Sequence, residues 1–179
     1  MAREPKSVPF GYEPEPEGKK GTLFVFGTFE EYDEEQLEAM IRLCEERGFT
    51  KLVLYPQTEE TLRRMGIEST VPYSKRIKVV EEVIHGKQYP LSVTVDRWEG
   101  KRKKYTPVET SLGFLMEKYK GPYFVFLPGV YANKVAGYSS FEEWIRKARL
   151  LIERNGEPLH PRLEQYRSRW EEWNGREAH

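Results

Sequence analysis

Gly27, Thr28 and Phe29 close an apolar run and are followed at once by Glu30, Glu31, Asp33, Glu34 and Glu35. A glycine at the end of a strand lets backbone approach a phosphate, and the helix that follows offers unpaired N–H groups at its N-terminus. The crowded carboxylates oppose a bare phosphate by Coulomb repulsion unless a divalent cation or a basic residue stands between them. The same acids also complement a helix dipole with no ligand present. Two readings therefore attach to this stretch, a ligand crevice and a plain helix start.

Two further segments could do chemistry. Arg97, Lys101, Arg102, Lys103 and Lys104 are interleaved with Trp98 and Tyr105, a pattern that suits nucleic-acid phosphates plus base stacking. Lysines also keep an edge strand from pairing with another chain. The stretch from Pro128 to Ser140, with Tyr131, Asn133, Lys134 and Tyr138, contains a ten-residue loop that could cover a ligand. His85, His160 and His179 are far apart and lack metal-ligand spacing. No Walker loop, dinucleotide fingerprint or Gly-x-Ser-x-Gly elbow occurs, which argues against an ordinary kinase, dehydrogenase or hydrolase.

The elements that must position these residues are legible in the apolar spacing. Leu23, Val25, Phe24 and Phe26 form a strand buried on both faces. Asp33 and Gln36 make a capping box, and Leu37, Met40, Ile41 and Cys44 give one helical face. Gly48 stops that helix, and Leu52 to Leu54 make the next strand of a right-handed βαβ unit. A short helix from Thr58 to Arg64 follows, then a longer one begun near Pro72 and closed by Gly86. Leu91, Val93 and Val95 alternate with polar residues as a strand, and Glu99-Gly100 predicts a tight turn into a second strand from Lys101 to Val108. A helix over 110–119 precedes the apolar strand Tyr123 to Leu127. Ser140 with Glu143 predicts a second capping box, opening a helix whose inner face includes Phe141, Trp144, Ile145, Ala148, Leu151 and Ile152. A last helix from Pro161 to Trp173 puts Leu163, Tyr166, Trp170 and Trp173 on one side, to dock on the body or on a partner.

Strands at 22–26, 51–55, 91–96 and 123–127 with helices between them predict a three-layer, Rossmann-like α/β fold with a parallel sheet, a β-hairpin insertion and a C-terminal helix. Residues 1–20, with Pro5, Pro9, Pro14 and Pro16, read as an extended or disordered arm that Phe10 and Tyr12 could pin to the body. Residues 21–156 form the α/β domain, and 157–179 a helical appendage. Ligands of such sheets sit beyond the carboxyl ends of the strands. In this chain those ends are Gly27–Asp33, Tyr55–Thr58, Asp96–Lys104 and Pro128–Ser140.

Composition narrows the partners. The 179 residues carry 29 Lys plus Arg against 29 Asp plus Glu, so no global charge points to nucleic acid or to a cationic partner. One cysteine excludes an internal disulfide, and Cys44 on an apolar helix face is a small hydrophobe. No apolar run approaches the roughly eighteen residues of a membrane span, and a cytoplasmic location is expected.

A strand ending in Gly27-Thr28-Phe29 before a helix resembles the opening of the cytidylyltransferase-like (HIGH-motif) nucleotidyltransferase superfamily. There the strand runs into Gly-Thr-Phe-Asp and two histidines that hold the phosphates of the incoming nucleotide. Glu30 stands at the acidic position here, and Asp33 and Gln36 occupy the places of the two histidines. Tyr138-Ser139-Ser140 with Arg146 is similar to the family's late Ser-rich motif, and Lys75 and Arg76 fall where a basic residue follows the second strand. The resemblance implies a nucleotide or phosphorylated small molecule as ligand, contacted by Gly27, Thr28, Phe29, Lys75, Arg76, Arg97, Ser139 and Ser140. It implies transfer activity that is altered or lost, with Mg²⁺ held partly by Glu30 or Asp33 in place of the histidines. The alternative is a non-enzymatic module that binds protein or nucleic acid through residues 97–105 and the aromatic C-terminal helix, and an oligomer built through that helix suits either.

Overall fold

The computed structural model describes residues 20–30 and 32–173. Apart from Lys20, the arm expected over residues 1–20 lies outside the described residues, as do Glu31 and His179. The elements are β1 (Lys20–Gly27), α1 (Glu34–Arg47), β2 (Phe49–Pro56), α2 (Glu59–Met65), α3 (Tyr73–Ile84), β3 (Ser92–Val95), α4 (Trp98–Arg102) and α5 (Val108–Lys118). They continue with β4 (Tyr123–Pro128), α6 (Gly129–Ala136), α7 (Phe141–Trp144), β5 (Ala148–Glu153), α8 (Pro161–Gln165), a 3₁₀ turn (Arg167–Arg169) and β6 (Trp170–Glu172). The six strands form one sheet in the order β3-β2-β1-β4-β5-β6, and every pair is parallel. This is the doubly wound, Rossmann-like order, whose direction reverses between β1 and β4. None of the described helices is long and apolar enough to cross a membrane.

Alternation along β1 divides the core. Phe24 and Phe26 face Leu62, Leu112, Leu115 and Ala132 from α2, α5 and α6, whereas Leu23 and Val25 face Leu37, Met40 and Cys44 of α1 and Val80 of α3. Both faces of the central strand are thus covered, which is why its sequence is a continuous apolar run. The α1 capping box forms as its sequence predicts: Gln36 N–H donates to Asp33 Oδ1 at 2.9 Å, and Asp33 N–H donates to Gln36 Oε1 at 3.0 Å. Gly48 ends the helix at φ 78°, a left-handed conformation open to glycine.

Five expectations are corrected. Residues 97–105 are no hairpin arm: Trp98–Arg102 form α4, and Gly100 packs against the Tyr73 ring so closely that a Cβ would lie 2.4 Å from it. The glycine permits that contact and makes no turn. The ten-residue loop after Pro128 is mostly helix α6. The long helix expected after Ser140 stops at Trp144, and Ala148–Glu153 become strand β5, buried on both faces. The second capping box is not formed, because the Ser140 hydroxyl donates to Glu109 at 3.0 Å instead. Finally, the C-terminal segment ends as strand β6 on the sheet rather than as helix: Trp170 is buried, with its indole N–H donating to Leu163 O at 2.7 Å, and Trp173 packs on Phe126.

Candidate functional site

At the switch point, β1 and β4 diverge and leave a crevice of about 230 Å³ beyond Gly27 and Pro128. Gly27, Thr28, Phe29, Glu30, Tyr32, Gln36, Phe126, Pro128, Tyr131 and Glu153 line it. The turn out of β1 is strained: Phe29 adopts φ 60°, which a residue with a Cβ takes at a cost of roughly 1–2 kcal/mol. Its ring is buried and meets Tyr32 edge-on at 4.8 Å, so packing holds the conformation. A Cβ on Gly27 would find only the Phe29 ring, at 3.9 Å, and would otherwise project into open space at the lip.

Arg76 fixes this turn from behind. Its side chain is fully buried; Nη1 donates to Thr28 O at 2.9 Å and Gln57 O at 2.7 Å, and Nε donates to Val71 O at 2.9 Å. The guanidinium thereby staples the ends of β1 and β2 together. Burial lowers its pKa, opposed by Glu59, Tyr131 and Glu30, yet an arginine remains charged. Its Nη2 has no partner, nor has the buried hydroxyl of Tyr131, the oxygen Oε1 of Gln57 or the oxygen Oε1 of Glu99. Unpaired buried polar atoms are scarce in folded proteins, and here they gather on residues at the carboxyl edge of the sheet. Burial pushes the Tyr131 phenol upward, against the pull of Arg76, so it stays a neutral donor.

The acids behave differently from one another. Glu30 Oε2 accepts from Thr70 N–H at 2.8 Å, and hydrogen bonds led by the one with Ser69 hold its carboxyl below the usual range. Asp33 is committed to its cap. Among the described residues no group of three or more His, Cys, Asp or Glu side chains is arranged to hold a metal. Glu99 is buried, with Oε2 accepting from Thr58 N–H at 2.8 Å and from its hydroxyl at 2.9 Å; desolvation raises its pKa, and it anchors the start of α2.

Of the residues singled out from sequence, Gly27, Thr28, Phe29 and Glu30 line the crevice, Arg76 lies behind it and Asp33 caps the adjoining helix. Lys75 is exposed, Arg97 pairs with Glu81 at 2.7 Å, and Ser139 and Ser140 do not line the crevice. The aromatics of the basic segment are occupied internally. Trp98 lies flat on Phe114 at 4.1 Å, with Arg102 5.1 Å from its ring, and Arg64 stands over Tyr105 at 4.3 Å. Sequence reasoning missed Tyr32 and Gln57, and placed Tyr131 only within the Pro128–Ser140 stretch, as part of a ligand cover or as packing. Tyr131 follows Pro128-Gly129 at a strand's end, which was the available signal.

No protein-family model matches the chain, and no curated protein matches it in sequence. In structure it is similar to the Plasmodium falciparum nicotinic acid mononucleotide adenylyltransferase complexed with NaAD, with a TM-score of 0.65 over 86% of this chain and 74% of that one. The two are 9% identical, so the likeness is one of fold.

Proposed function

We propose that this chain is a nucleotide-binding protein of the nucleotidyltransferase-like class, which seats ligand phosphates in the crevice between β1 and β4. The observation that carries the reading is the pairing of unpartnered donors there: Tyr131 OH in the wall and Arg76 Nη2 behind the Gly27–Phe29 turn. A phosphate oxygen would satisfy the hydroxyl, and the guanidinium offsets the charge of Glu30. The fold neighbour is an adenylyltransferase complexed with NaAD, which supports the class of ligand without assigning one. Asp33 and Gln36 bond to each other where the resemblance implies histidines, and neither offers an imidazole donor to a transfer step. Binding with altered or lost transfer is the activity this favours. Mg²⁺ enters the proposal as a counter-ion carried on nucleotide phosphates, with Glu30 and Asp33 as the carboxylates offered to it.

The test is a thermal-shift screen with ATP, CTP, GTP and NAD, each with and without Mg²⁺. A ligand at about a hundred times its Kd should add about 2.7 kcal/mol to stability. A rise with at least one nucleotide, lost in Gly27→Val, is expected; a flat response across the panel overturns the reading.

A further inference from the structure

The cations of residues 97–105 separate in the fold, and those left exposed join others from α2 and α6. Arg97 is held by Glu81 and Arg102 lies against the Trp98 ring, whereas Lys101, Lys103 and Lys104 are exposed. Arg64, exposed on α2, stands over the Tyr105 ring at 4.3 Å and so extends the group onto the neighbouring helix. Lys134 of α6 reaches the end of α2, where a Cβ on Gly66 would lie 3.0 Å from its Nζ. Among the described residues, Arg64, Lys101, Lys103, Lys104 and Lys134 form no ion pair. The carboxylates of α2 and α4 are engaged elsewhere: Glu59 accepts from Tyr73 N–H at 2.7 Å, Glu60 pairs with Arg63 at 2.6 Å, and Glu99 is buried against Thr58. Glu109, at the start of α5, accepts from the Ser140 hydroxyl. Lys103 also closes α4 in a left-handed conformation, φ 59°, which glycine would adopt without strain. The position holds a cation at a conformational cost.

We infer that this surface docks the phosphate backbone of a nucleic-acid duplex. Unpaired cations gathered on a chain with no net charge make a local positive field, which attracts polyanions. A duplex carries one charge per roughly 1.7 Å of its axis, so several cations on one face meet phosphates at once. The aromatic rings decide between duplex and single strand. Single-strand binding leans on rings free to stack with bases. Here Trp98 is stacked on Phe114 with Arg102 near its ring, and Arg64 covers Tyr105. What the surface offers is charge, and contacts to phosphate alone position a duplex without reading its sequence. The inference stands apart from the crevice and needs no mononucleotide for its test.

The full chain is titrated into a fluorescein-labelled DNA duplex of about 20 base pairs, followed by anisotropy between about 50 and 200 mM KCl. Parallel arms use the matching single strand, a duplex of unrelated sequence and poly-L-glutamate. Saturable, sequence-independent duplex binding is expected, and neutralising about four phosphates would cost about 150-fold in affinity across that salt range. Lys104→Glu and Arg64→Glu should each weaken binding at least fivefold and flatten the salt slope. Lys147→Glu makes the same change in net charge just before β5, at the amino edge of the sheet, and should stay within twofold of the wild type. Lys103→Gly should weaken binding while Tm holds or rises, which separates a lost contact from a lost fold. No saturable binding at the lowest salt, or tighter binding of poly-L-glutamate or of the single strand, overturns the inference. So does Arg64→Glu or a folded Lys103→Gly that binds as the wild type does, or Lys147→Glu that binds as weakly as Lys104→Glu. A protein that binds the duplex and ignores every mononucleotide keeps this surface and removes the phosphate crevice.

Discussion

Replacing Tyr131 by phenylalanine should stabilise the free protein and weaken its ligand. The residue is 6% exposed and its hydroxyl has no partner. A buried polar group left unpaired costs roughly 1–3 kcal/mol. The Phe126 and Tyr131 walls keep their rings in the variant, so apolar burial is retained and only one oxygen is removed. A gain of about 1 kcal/mol follows, which for a chain of this size raises Tm by about 2–4 °C. Guanidinium denaturation should show a higher midpoint with an unchanged slope. The same oxygen is the proposed phosphate donor, and hydrogen bonds to charged groups contribute about 1.5–3 kcal/mol. Affinity for the responding nucleotide should therefore fall about 10- to 100-fold. A stability loss of 1 kcal/mol or more would show that the hydroxyl has a partner in the free protein, and stabilisation with unchanged affinity would separate it from the site. Either result refutes the reasoning.

Three other substitutions probe the surroundings. Arg76→Met removes three hydrogen bonds to backbone carbonyls while relieving a buried charge; a net loss of about 3 kcal/mol in unfolding free energy, measured by denaturant titration, and loss of the nucleotide response are expected. Asp33→Ala should lower stability by about 1 kcal/mol through the lost cap, measured by the same unfolding. Glu99→Gln tests the buried carboxyl. Because its folded pKa is raised, the unfolded chain releases this proton first as pH rises, so Glu99 lowers stability from the ordinary carboxylate value of 4.5 upward until its folded pKa is passed. Stability compared between about pH 4 and pH 7 should therefore fall less in the Gln variant than in the wild type.

The central strands were legible because burial on both faces leaves an unbroken apolar signature: Leu23 to Phe26, Leu52 to Leu54 and Tyr123 to Leu127 all became parallel strands. The outer half of the sheet was not. Ala148–Glu153 continues the three- and four-residue spacing of Phe141 and Trp144, so a strand looked like one more helical turn. Gly100 carried a turn signal that in the fold serves close approach of the Tyr73 ring. The crevice was placed by topology, since Gly27 to Glu30 fall where β1 ends at the switch point. Its hydroxyls were hidden because Tyr32 and Tyr131 act through burial without a partner, a property that emerges only when α1, α6 and the sheet enclose them.

The most direct test of the account is an amide-shift map of the ¹⁵N-labelled chain with whichever nucleotide raises Tm. The account predicts that the largest shifts fall on Gly27, Thr28, Phe29 and Tyr131, and that the residues of α4 do not move. Shifts centred on Trp98–Arg102, or spread without the β1–β4 crevice, would contradict it.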